Sequence, residues 1–81
     1  MAWNFRVLAH QHGSNTLFQI HEVQYDKDNN PTNYSKAAAT ISGEDAEKLN
    51  WVTSKIKMAM TGPILWAGFK FPKQFIQDET N

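Results

Sequence analysis

Residues 3 to 11 alternate between apolar and polar positions. Trp3, Phe5, Val7 and Ala9 fall on one side, with Asn4, Arg6, Leu8 and His10 on the other. A period of two predicts a half-buried strand. "HGSN" follows and reads as a hairpin loop. Residues 16 to 25 predict a second strand in which both faces are partly apolar: Phe18, Ile20 and Glu22 oppose Leu17, His21, Val23 and Tyr25. That pattern suits a central strand with neighbours on both sides. "DKDNNP" is the strongest turn signal in the chain, because Asp and Asn side chains bond nearby backbone and Pro fixes φ. A third strand is expected between Thr32 and Ile41, starting near Tyr34, although "KAAAT" has weak β-propensity.

The pattern then changes period. Ala46, Leu49, Val52, Ile56 and Ala59 recur at helical spacing, and Trp51 and Met58 widen the stripe. Ser42 and Asp45 form an S-x-x-D capping pattern, and Glu44 and Asp45 place negative charge at the positive end of the helix. Gly62–Pro63 is expected to end it, with glycine taking a left-handed exit. "ILWAGFKF" reads as a short last strand or an extended arm, and residues 78–81 as a disordered tail. The fold class is therefore α+β. One amphipathic helix lies on one face of an antiparallel sheet of three strands, or four if the last segment pairs. Residues 1–77 form a single domain, arm included.

Eighty-one residues leave room for a small core, burying around 60–65% of the unfolded surface. No cysteine is present, which removes disulfides, thiol nucleophiles and thiolate metal sites. Eight basic residues balance eight acidic ones, so no global field draws the chain to nucleic acid or to an anionic membrane. No apolar run approaches the roughly 20 residues of a membrane span. The N-terminus lacks a signal-peptide pattern, and a cytoplasmic location is expected (host cytoplasm if the chain is phage-encoded).

"WNFRVLAH", "FQIHEVQYD", a D/N-rich turn ending in Pro31 and "SGEDAEKLNWVTSKI" resemble a widespread set of short, uncharacterised bacterial and phage proteins. Those run W-x-[FY]-R-V, then F-x-I-H-E-V-x-Y-D, then a turn and a capped amphipathic helix. The likeness covers roughly residues 3 to 65 and implies a small sheet-plus-helix fold with no established activity. "WAGFKFPKQFIQDETN" goes beyond that pattern.

Candidate chemistry is sparse. His21 and Glu22 are strand neighbours and point to opposite faces, so they cannot act together on one atom. The plainer reading is a structural histidine and a surface glutamate. His10 and His12 share a face. Matching apolar faces sets Val7 beside Ile20, Ala9 beside Phe18 and Arg6 beside His21. That leaves His21 about 13 Å from His10 at strand rise, too far for a shared metal. No metal site or cofactor is expected. Among the serines, neither Ser42 nor Ser54 sits in a nucleophile motif, and no glycine-rich phosphate loop occurs. Asp26 and Asp28 flank a turn without an EF-hand pattern. No catalytic residue is assigned.

The aromatic content remains. Residues 66 to 75 hold four large rings and two lysines. Trp66, Phe69, Lys70, Phe71, Lys73 and Phe75 are the candidate partner-binding residues, because aromatics are the usual anchors of interfaces. The arm is expected to bind outward and to be dispensable for folding; the plainer reading places Trp66 and Phe69 in the core. The expectation is a non-enzymatic protein-binding protein, in its sharpest form an anti-CRISPR-like inhibitor of a bacterial defence complex. The alternative is a nucleic-acid-binding accessory protein. An uncovered sheet face also allows a homodimer.

Overall fold

Gly13, at φ 61°, occupies the first position of a two-residue loop that closes the hairpin between β1 (Ala2–His12) and β2 (Asn15–Tyr25). A β-hairpin loop this short calls for a positive φ there, which glycine adopts without strain. The computed structural model describes residues 2–76; the tail expected at 78–81 lies outside them. The strands pair antiparallel in the register expected from their apolar faces: Val7 faces Ile20, Ala9 faces Phe18 and Arg6 faces His21.

The "DKDNNP" turn folds through its own side chains. Asp26 Oδ1 accepts from the backbone N–H groups of Asp28 and Asn30, both at 2.9 Å, and Asn29 takes a positive φ of 69°. Asn tolerates that region better than most residues. β3 (Pro31–Tyr34) then pairs antiparallel with β2. It begins and ends earlier than expected, and Pro31 opens it on the sheet edge, where a missing donor is tolerated. Beyond Tyr34 the chain still follows β2. The N–H of Ser35 donates to Glu22 O at 2.8 Å, and that of Ala39 to Ile20 O at 2.7 Å.

The helix α1 (Ala46–Ala59) is capped by Asp45, whose carboxylate accepts from Lys48 N at 2.8 Å. The cap thus lies three residues later than a box starting at Ser42. Gly43 packs closely on the helix start, where an added Cβ would come within 2.5 Å of Leu49 N. The helix ends through Met60 and Thr61 rather than through a left-handed glycine. Thr61 donates to Met58 O from both N–H and Oγ1, and Gly62 has no positive φ. Gly62 serves a different need, since an added Cβ would lie 2.5 Å from Arg6 NH1.

β4 (Leu65–Trp66) joins the other edge, giving the order β3-β2-β1-β4. Leu8 faces Leu65 and Ala9 faces Trp66 in a parallel pair, so the sheet is mixed. Both β1 and β2 are central. β1 is buried on both faces, which explains why apolar residues appear at Leu8 as well as at Phe5, Val7 and Ala9. The helix covers the Phe5–Val7 face lightly. Ala59 is its one buried residue, while Leu49 stays 39% exposed. The principal core is on the reverse face. Leu8 and Val23 are fully enclosed, Tyr25 and Leu65 join them, and Tyr34, Ala67 and Phe71 pack around the cluster.

Candidate functional site

The segment expected to be a free arm is stitched into the fold. The N–H of Ala67 donates to Ala9 O at 3.0 Å, that of Trp66 to Lys73 O at 2.8 Å, and that of Phe75 to Ile64 O at 2.7 Å. Gln74 bridges back to Leu65. The chain leaves β4, makes a 3-10 turn at Gly68–Lys70 and returns beside its own exit. Phe71 is therefore a core residue: it packs on the main cluster, its ring centroid 4.9 Å from that of Tyr34. From sequence it is expected to face a partner; the structure gives it a half-buried place against the core. The cause is topological, because Pro72 and the 3-10 turn reverse the chain and turn Phe71 inward.

The other candidates divide by position. Phe69 sits at the tip of the 3-10 turn and is 96% exposed, so it does not complete the core. The turn is held on both sides: Gly68 N–H donates to the Tyr34 hydroxyl at 2.7 Å, and Phe71 is packed inside. Gly68 takes a φ of 78°, which a residue with Cβ adopts only under strain. Trp66 and Phe75 meet edge to face with centroids 5.0 Å apart, and Phe75 meets Phe18 in the same way at 5.3 Å. Lys70 Nζ lies 4.4 Å from the Trp66 ring centroid, a cation–π contact. Lys73 is exposed and lends its carbonyl to Trp66. The result is an aromatic row, Trp66–Phe75–Phe18, with Phe69 on the turn that follows Trp66 in the chain. Phe18 belongs to this surface and was not selected from sequence. Its signal was the register, which places it beside Ala9, next to the strand carrying Trp66.

The histidines behave differently from the distance argument. His10 Nε2 and His21 Nε2 are 3.0 Å apart. Counting residues along the strand overestimated the gap, because strand twist and the lean of side chains bring diagonal neighbours together. His21 is buried, and its Nδ1–H donates to Ser35 O at 2.8 Å. That bond fixes the tautomer: Nε2 carries the lone pair and accepts the N–H of His10. Burial, then His21, then His12 lower the His10 pKa from the ordinary histidine value. The His12 ring centroid is 6.5 Å from that of His10, and no group of three metal-ligating side chains forms among the described residues. Ser35 Oγ lies 3.4 Å from His21 Nδ1 but donates to Ala37 O, and that ring nitrogen is already donating. The pair is not set up to activate a nucleophile. Glu22 is exposed on the opposite face.

The chain matches no protein-family model, no curated protein and no solved structure. No helix among the described residues is long and apolar enough to cross a membrane.

Proposed function

We propose that the protein acts by binding another protein through the surface formed by Phe69, Trp66, Phe75 and Phe18. The observation that carries this reading is Phe69, a large ring 96% exposed on a turn anchored at both flanks. An exposed aromatic on a loose loop loses entropy when it docks. One on a fixed turn has already lost it, and such pre-organised rings make effective interface anchors. Lys70 is drawn over Trp66 and Lys73 is exposed, which suits a partner with an apolar cleft and an acidic rim. The zero net charge supports a protein partner over nucleic acid, for which phosphate contacts dominate affinity.

The sharper form of the proposal is an inhibitor of a bacterial defence complex, of the anti-CRISPR kind. It rests on the small size and on the likeness to short phage and bacterial proteins. The test expresses the chain in a bacterium that restricts a phage by CRISPR interference. Restored plaques with the wild-type chain, and none with Phe69→Ala at equal protein level, support it. Equal plaque numbers with and without the chain would overturn the inhibitor reading. Protein binding itself is tested separately, by capture of a partner whose retention falls with Phe69→Ala and hardly changes with salt. Steep salt dependence and co-purifying nucleic acid would favour the accessory-protein alternative.

A further inference from the structure

A second concave site lies where the end of the helix crosses the start of β1. It is a groove of about 500 Å3 whose walls include Trp3, Phe5, Arg6, Trp51, Lys55 and Gly62. Its volume falls in the range of small-molecule sites. Trp3 and Phe5 meet edge to face at 5.3 Å, and Lys55 Nζ stands 5.6 Å from the Trp51 ring centroid. Three aromatic rings and two cations therefore converge, and among the described residues no acidic side chain lines the groove.

Arg6 is the informative member. Its Nε is buried and has no hydrogen-bond partner, and among the described residues no carboxylate pairs with its guanidinium. A buried N–H without an acceptor is costly, and such an exception calls for an explanation. The backbone makes room for it. Gly62 leaves open the space against Arg6 NH1 that a Cβ would fill at 2.5 Å. Hydrophobic contacts alone would explain the rings, but not an arginine held among them without an acid. We infer that this groove is a binding site for a small aromatic carboxylate. The ring enters between the indoles and Phe5, and the carboxylate pairs with Arg6, with Lys55 at the rim. A carboxylate matches the planar fork of a guanidinium, and the pairing is strongest where water is excluded. The site shares no lining residue with the Phe69, Trp66, Phe75 and Phe18 surface.

The probes are 2-naphthoate and its neutral amide, which has nearly the same shape, together with inorganic phosphate. Binding is followed by NMR shifts of the indole N–H groups and the Gly62 amide in the full chain. The expected result is saturable binding of naphthoate, with shifts at Trp3, Trp51 and Gly62. The amide and phosphate should each bind at least about tenfold more weakly, the loss expected for a charge-assisted pair or for an absent ring. Arg6→Gln should remove the preference for naphthoate over the amide. Gly62→Ala, which displaces the guanidinium at a flexible side-chain end, should do the same while leaving the fold intact. Equal affinity for acid and amide would reduce the groove to an apolar cleft, and equal affinity for phosphate would make it a general anion site. Either result, or no saturation by naphthoate, overturns the assignment.

Discussion

His10 donates its Nε2–H to His21 Nε2 across 3.0 Å, although the two lie four positions out of register on the β1–β2 pair. Burial and the neighbouring His21 and His12 disfavour a charge on His10, which ties the fold to pH. His10 has a lowered pKa in the folded state. The unfolded chain therefore takes up the proton first. Stability should be full above the ordinary histidine value of about 6.5 and should fall as pH drops below it, levelling once pH passes the lowered folded value. Urea melts between pH 8 and pH 5 would check this. His10→Gln should flatten the acid limb; an unchanged limb in that variant would assign the sensitivity to other groups.

Replacing Leu8 or Val23 by alanine should cost about 2–5 kcal/mol, because both are fully enclosed and their neighbours cannot collapse freely. Leu49→Ala on the helix should cost about 1 kcal/mol or less, since that side chain is 39% exposed. Thermal melting of the three variants compares the two faces of the sheet directly. A Leu49 variant as unstable as the Leu8 one would mean that the helix carries more of the core than its burial indicates.

Phe69 and Phe71 are two positions apart and should respond oppositely. Phe71→Ala removes a ring from the core and should destabilise by about 2–3 kcal/mol. Phe69→Ala should leave the melting temperature unchanged while weakening partner binding by about 2 kcal/mol or more. Truncation after Gly68 should unfold the chain, because it removes Phe71 together with the carbonyl and N–H of residues 73 and 75 that hold β4. Circular dichroism of the truncated chain checks this; native-like spectra would restore the idea of a separable arm.

The start of the helix offers a paired test. Asp45→Ala should cost about 1 kcal/mol through the lost cap, whereas Ser42→Ala should stay within about 0.5 kcal/mol. Gly43→Ala should be worse than Ser42→Ala, at about 1–3 kcal/mol, since the added methyl meets helix backbone rather than a movable side chain. Chemical denaturation midpoints of the three variants rank the effects.

Much of this architecture could be read from the chain. Alternation in β1 and β2 was strong enough to set the hairpin register residue by residue, because a slip of one position would have exposed Val7 and Ile20. The turn at Asp26 and the helix followed from local chemistry. Two kinds of feature were not legible. Those that depend on a distant partner left no local mark: β4 is two residues long and pairs with a strand more than fifty positions earlier. Close backbone approaches were also hidden. Gly43 and Gly62 looked like parts of helix-end signals, yet their spacing serves Leu49 and Arg6. The aromatic surface was only half legible for the same reason. Composition marked Trp66, Phe69 and Phe75, but only the return of the chain through Gln74 shows that Phe71 turns inward and Phe18 joins the row.

That return also orders events during synthesis. The hairpin of β1 and β2 emerges early and can pair while the rest of the chain is still being made. Leu8 and Val23 then lie on a surface flanked by Tyr25 and Tyr34 but still without its later cover. The later part of their cover consists of Leu65, Ala67 and Phe71, and the chain returns there through the bond from Phe75 N–H to Ile64 O. A chain whose residues 67–75 have not yet docked thus leaves part of its most apolar sheet face open to water, at a stage when hydrophobic surface is prone to misassociation. The native core is complete only when residues 67–75 have docked.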